Sequence, residues 1–305
     1  MFTSKLVRNA MLSLIILSCF IIAASAQSSR VFVSAASGVD AGACTLAQPC
    51  RTFTYSLTQV NAKGEVVVVD SGEYDQVTIN KAVTIQTAPG VYAGITVTTG
   101  TSAVRIIAGA SDIVILRGLT LHAFGGQAGQ SGIYITAGGT LHVENCVING
   151  FSLSGISVNH SGEAFIKDTT MRDSGYAILV GNNAALIKAV VENCRIENSI
   201  IGVHASSNAR VVVRGSVASG QSSVGFLASP VGGTSAELTL ENCLSSHNSI
   251  GVTSSGNSIV RVSNSTITQN TTGLSHSGTL LTRGNNTVEA NSSGNGSFTG
   301  SFSAQ

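Results

Sequence analysis

The sequence predicts an all-β solenoid of short parallel strands, and three observations carry that prediction. A corner triplet recurs along the chain, an apolar strand start recurs beside it, and hydrophobic residues between them alternate with period two. The triplet reads Glu144-Asn145-Cys146, Glu192-Asn193-Cys194 and Glu241-Asn242-Cys243, at intervals of 48 and 49 residues. Lys167-Asp168-Thr169 and Arg214-Gly215-Ser216 fall about halfway between, and Ser263-Asn264-Ser265 follows, so the true period is near 24 residues. The strand starts are Gly132-Ile133, Gly155-Ile156, Ala177-Ile178, Gly202-Val203, Gly225-Phe226, Gly251-Val252 and Gly273-Leu274, spaced 22 to 26 apart. Uneven steps around a fixed pattern are what loops of varying length between stacked strands produce.

In chain order, residues 1–26 read as a cleaved signal peptide. Lys5 and Arg8 form a positive start, residues 10–24 are apolar, and Ala24-Ser25-Ala26 is a small-x-small cleavage pattern. The apolar run is shorter than the ~20 residues of a spanning helix, so the mature protein is read as having no membrane span. Residues 27–63 form an entry segment. In it Cys44 and Cys50 flank a short loop suited to a disulfide in an oxidising compartment, and Phe53, Leu57 and Val60 are spaced for a short helical cap. Residues 64–290 carry the coils. Residues 291–305, mostly Ser, Gly and Asn, read as a tail or loose cap.

Each coil is justified by its corner. The middle triplet position reads Asn145, Asp168, Asn193, Gly215, Asn242 and Asn264, the residue types that tolerate the left-handed backbone region at a sharp turn. The side chains of Asn145, Asp168, Asn193, Asn242 and Asn264 are therefore read as a structural corner ladder, hydrogen-bonded from coil to coil. The position before it reads Arg117, Glu144, Lys167, Glu192, Arg214 and Glu241, alternating in sign at every coil. Parallel in-register stacking brings such side chains ~4.8 Å apart, where a one-coil slip places like charges together. The position after it collects Cys146, Cys194 and Cys243 in every second coil, ~9.6 Å apart and beyond disulfide reach, so they are expected as free buried thiols.

These Asn-Cys/Ser/Thr corners and Gly-apolar strand starts resemble the pectin-lyase-like family over residues 64–290. The resemblance implies a single-stranded right-handed parallel β-helix of about ten coils with a short N-terminal helical cap. It identifies the fold better than the activity, because the family spans lyases, hydrolases, adhesins and proteins without assigned roles.

Composition and motifs bound the function. Charged residues are 10% of the chain and Lys+Arg number 16 against 15 Asp+Glu, so nothing favours nucleic acid as a partner. In enzymes of the resembling family the groove runs along one sheet; the counterpart here follows the Gly-apolar column. Its outward residues are Tyr134, Ser157, Leu179, His204, Leu227, Thr253 and Ser275, none acidic and none Lys or Arg. Glycoside hydrolysis usually requires two facing carboxylates, and a lyase a base with a cation held by acids; neither set is visible. No catalytic residue, metal site or cofactor is assigned. Tyr134, Leu179, His204 and Leu227 are candidate ligand contacts. Glu73 and Asp75 are the one local acidic pair worth testing, Asp173 is either catalytic or structural, and the six histidines do not converge. A second outward column, Ile115, His142, Phe165, Val190 and Val212, is apolar. It marks a partner surface or covering loop, or reflects β-propensity alone.

The leading reading is a non-catalytic protein, secreted or periplasmic, that binds a polysaccharide or surface protein along its flank. The alternatives are a carbohydrate-active lyase or hydrolase, and an adhesin-like surface protein. The oligomeric state is left open.

Overall fold

The computed structural model describes residues 28–98, 100–124, 130–181 and 184–303; the segment expected to be a signal peptide, residues 1–26, lies outside the described residues. Among them, three parallel sheets of twelve, nine and ten strands wrap into a solenoid of about ten coils. One coil illustrates the rest. Thr140–Glu144 lies in the twelve-stranded sheet, Val147–Asn149 in the ten-stranded sheet, and Ser154–Val158 in the nine-stranded sheet. A loop then returns the chain to Gly162–Lys167, directly above the starting strand. The all-β parallel solenoid expected from the triplets is the architecture observed.

Left-handed residues make both sharp corners. At the first, φ is +52° at Asn145, +49° at Asp168, +52° at Asn193, +54° at Asn242 and +48° at Asn264. The second corner has its own column, with Asp173, Asn198, His247, Gln269 and Ala290 at φ between +52° and +57°. Asp173, left open by the sequence, is thus a corner residue.

The rungs that join the first corners differ from the expected side-chain ladder. They are mostly backbone bonds: Asn145 N–H donates to Lys167 O at 3.2 Å and Asn193 N–H to Arg214 O at 3.0 Å. The side-chain ladder lies inside instead, just past the second corner. Ser199 N–H donates to Gln221 Oε1, Gln221 N–H to Asn248 Oδ1, Asn248 N–H to Asn270 Oδ1 and Asn270 N–H to Asn291 Oδ1, at 2.8–3.0 Å. Gln221, Asn248 and Asn270 are at most 3% exposed, so these amides are satisfied almost wholly by protein.

Alternation fills the core: Val114, Leu141, Ala164, Ala189, Val211 and Leu238 stack inward from one sheet, and Ile133, Ile156, Ile178, Val203 and Phe226 from another. Glycine starts the nine-stranded strands because the backbones approach closely there. A Cβ on Gly225 would stand 2.7 Å from Gly251 O, and one on Gly251 2.6 Å from Gly273 O. Cys146, Cys194 and Cys243 are free and buried. Burial pushes their thiols up to about 12, 11 and 11. Their backbone N–H groups donate to Thr169, Ser216 and Ser265 hydroxyls in the next coil.

The ends are closed differently. Within the entry segment, Ser28–Val33 already pairs in the twelve-stranded sheet. Its outer edge is covered by the loop that the Cys44–Cys50 disulfide closes, through Phe32 N–H to Cys44 O and Cys50 N–H to Phe32 O. Helix α1 (Phe53–Gln59) buries Phe53 and Leu57, with Thr52 as its N-cap. At the other end residues 294–295 pair with Gly273 and Leu274, covering the last nine-stranded edge.

Candidate functional site

The nine-stranded sheet places the four candidate ligand contacts in one outward column. Register pairing runs Tyr134–Ser157–Leu179–His204–Leu227–Thr253–Ser275. Tyr134, Leu179, His204 and Leu227 are all half-buried, because neighbours above and below cover each flank. The His204 ring stacks on Tyr176 at 5.4 Å, and its Nε2 lies 3.3 Å from Ser229 O. Burial holds the imidazole below its usual range, so His204 is neutral at pH 7. Tyr176 starts its strand, in register with the buried Ser154 and with Ile201, and sequence reasoning did not single it out. Beside Leu179 a shallow groove of about 260 Å³ is lined by Ser157, Asn159, Ser206, Ser207 and Val231.

The column continues one coil further back than the sequence reading took it. Tyr134 pairs with Arg105, and Arg105 with Thr78. The face therefore does carry a cation. Arg105 is exposed and forms no ion pair among the described residues. It stands in a groove of about 590 Å³ with Gln76, Thr78, Thr101, Ser102, Gln130 and Tyr134. The available signal was Val104-Arg105-Ile106, an alternating strand. Ala103 precedes it at the position of Gly132 and Ala177, so the marker column begins one coil earlier than the sequence reading started it.

Carboxylates are engaged elsewhere. Asp75 accepts from Phe53 N–H at 2.7 Å and Thr54 N–H at 3.2 Å, anchoring the start of α1. Glu73 accepts from Tyr92 and Thr96 hydroxyls at 2.9 and 2.8 Å. The acidic pair singled out by sequence is thus divided between two structural jobs. Burial would raise Asp70, but hydrogen bonds from Ser34, Tyr74 and the Ala35 and Ala36 amides outweigh it and lower the carboxyl to about 2. None of the nine strands of the nine-stranded sheet contains Asp or Glu. Among the described residues, no three His, Cys, Asp or Glu side chains gather as a metal site.

The twelve-stranded sheet has the opposite character. Its central outward column aligns Ile115, His142, Phe165, Val190 and Val212, all half-buried, with the His142 ring stacked on Phe165 at 5.0 Å. On one side runs the expected charge ladder, in register from Arg117 to Glu241. It is only partly closed. Arg117 pairs with Glu144 at 2.6 Å and Glu241 takes the Ser263 hydroxyl, whereas Lys167, Glu192 and Arg214 form no ion pair among the described residues. On the other side is a second charged column that the sequence reading missed, Glu163, Lys188, Arg210 and Glu237: Glu163 pairs with Lys188 at 3.4 Å, and Glu237 with Arg210 at 3.1 Å and, reaching over from the central column, with Arg261 at 2.8 Å. The Arg261 and Arg210 guanidinium groups hold Glu237 below the usual carboxylate range.

Stacked three-strand coils with left-handed corners define a parallel β-solenoid with flat, solvent-facing flanks. A family model described as a right-handed beta helix region matches residues 131–294, and the chain belongs to that family. Similar solved structures include the pectate lyase Pel9A, at 14% identity and TM-score 0.55 over 85% of this chain and 69% of that one. XylC in complex with xylose matches at 9% identity and TM-score 0.56, over 84% of this chain and 67% of that one. At such identities the likeness concerns the fold. No curated protein matches the sequence. Among the described residues no helix is long and apolar enough to cross a membrane.

Proposed function

We propose that the chain is a secreted or periplasmic β-helix protein that binds an acidic polysaccharide along its nine-stranded face without turning it over. The observation that carries this reading is the unpaired Arg105 guanidinium in a groove of amides and hydroxyls, on a sheet whose strands lack carboxylates. A guanidinium recognises a carboxylate through paired N–H donors, and amides and hydroxyls suit sugar hydroxyls. Tyr134 beside it and the Tyr176–His204 stack further along offer flat surfaces for sugar rings, and ~4.8 Å per coil gives a long, regular track. The disulfide fits an oxidising compartment.

A second reading, a polysaccharide lyase, is favoured by the same cation, because elimination next to a uronate needs its carboxylate charge countered. One experiment separates them: a glycan array run beside assays for reducing ends and unsaturated products on several uronans. Saturable binding without product supports the binding role. Product formation above the protein-free blank replaces it with the lyase, and absence of any glycan binding overturns both.

A further inference from the structure

The twelve-stranded face has an arrangement that a ligand-binding role on the opposite sheet does not use. Its ladder, Arg117, Glu144, Lys167, Glu192, Arg214 and Glu241, alternates in sign over six consecutive strands. An alternating row with an even number of members is complementary to its own reverse: every cation meets an anion when the row is turned end for end. The row is also centred. Strands Gly162–Lys167 and Ile187–Glu192 are the sixth and seventh of the twelve, so the ladder's midpoint is the sheet's midpoint.

We propose that a second copy of this chain packs face to face on the twelve-stranded sheet. The two coil axes run antiparallel about a two-fold axis that lies along the strands, between Gly162–Lys167 and Ile187–Glu192. Across that axis Lys167 meets Glu192 of the second copy, Glu144 meets Arg214, and Arg117 meets Glu241. The members left without an ion pair within the chain, Lys167, Glu192 and Arg214, are the innermost ones and all gain a partner.

The other columns agree with the same axis. In the central stripe Phe165 meets Val190 and His142 meets Val212, so apolar surface covers apolar surface. In the outer column Glu163 meets Lys188, Thr140 meets Arg210, and Ile113 meets Glu237. Toward the ends of the central column Thr84 meets Arg261 and Glu65 meets Leu281, and no like charges oppose each other.

A one-coil slip and the other face-to-face two-fold axis both oppose like charges. A slip of one coil sets Lys167 against itself and Glu144 against Glu192. A two-fold axis along the coil axis instead sets Arg214 against Arg210 and Glu241 against Glu237. A slip of two coils keeps opposite signs at Glu144–Lys167 and Arg117–Glu192 but leaves Arg214 and Glu241 facing Gln86 and Val67 and sets Arg30 against Arg261, so the centred register makes the most opposite-charge contacts. The area is adequate. Twelve strands at ~4.8 Å and five residues at ~3.3 Å give a face of ~900 Å² per copy, or ~1,800 Å² for both, which is the size of a standard stable interface. The dimer leaves both nine-stranded faces outward, and its existence does not depend on what they bind.

The test is sedimentation equilibrium on the mature chain and two charge reversals. Wild type is expected to dimerise in the micromolar range. Lys167→Glu sets a carboxylate opposite Glu192 twice, and Glu192→Lys sets an ammonium opposite Lys167 twice, so each alone should dimerise at least tenfold more weakly. Mixed together, the two variants restore an opposite-charge contact at both positions and should form a heterodimer near wild-type affinity. The double exchange K167E/E192K should recover the homodimer. A misfolded variant cannot produce that rescue. A wild-type monomer at about 100 μM, a dimer indifferent to the reversals, or a mixture no tighter than its components would overturn the proposal.

Discussion

Two flanks of one solenoid are built from the same repeat and spend their residues in opposite ways. The twelve-stranded face carries two charged columns around an apolar stripe. The nine-stranded face carries a single cation, Arg105, and otherwise hydroxyls, Leu179, Leu227, Tyr134 and His204. The difference follows from how each sheet is packed. On the nine-stranded side, glycine at most strand starts lets successive backbones approach so closely that a Cβ at Gly225 or Gly251 would meet the next carbonyl, so register there is enforced by shape. On the twelve-stranded side most inward positions are aliphatic, with Gly64, Gly162 and Ser258 as exceptions, and alternation of charge outside adds a penalty against slippage. A flank whose register is fixed by backbone contact is free to vary its outward residues for a ligand.

The largest expected effect breaks the shape-enforced side. Gly251→Val drives a side chain into Gly273 O and should cost about 3 kcal/mol or more, read by urea unfolding. Next comes the interior amide ladder: Asn270→Ala leaves Asn248 N–H and the Ser245 and Thr268 carbonyls without their partner and should cost about 2–3 kcal/mol in the same measurement.

Acid should then act at the N-terminal end before either flank. The Asp70 carboxyl is lowered in the folded chain from an ordinary 3.8 to about 2. Its contribution is therefore complete above pH ~4 and is lost as pH falls toward 2. Asp70→Asn should remove about 1–2 kcal/mol at pH 7 and flatten the stability profile between pH 4 and 2. A profile unchanged by the substitution would show that other carboxylates govern acid unfolding. The smallest effect belongs to the charge-enforced side. Lys188→Ala removes an exposed pair with Glu163 at 3.4 Å and should change monomer stability by under about 0.5 kcal/mol.

The legibility of these features follows their chemistry. The first corner announced itself because Asn, Asp and Gly are enriched wherever φ must be positive, and six coils use nothing else there. The second corner has the same backbone but includes His247, Gln269 and Ala290, so residue type conceals it. The ladder from Arg117 to Glu241 was readable because its signs alternate. The order Glu163, Lys188, Arg210, Glu237 does not alternate, and its pairs appear only once the strands are in register. The amide ladder was misplaced because corner asparagines and interior ones look alike in sequence; only burial separates Asn193 from Asn248. Arg105 was missed because the marker column was begun at Gly132, although Ala103-Val104 fits it as Ala177-Ile178 does.

The contrast between the two flanks is tested most directly by calorimetric titration of the same protein with a uronan and with its neutral counterpart. Wild type and Lys188→Ala should bind the uronan alike, whereas Arg105→Ala should lose at least tenfold in affinity for the uronan and little for the neutral polymer. Equal affinities of Arg105→Ala and wild type for the uronan, or a loss that instead follows Lys188→Ala, would contradict the assignment of the nine-stranded face as the binding flank.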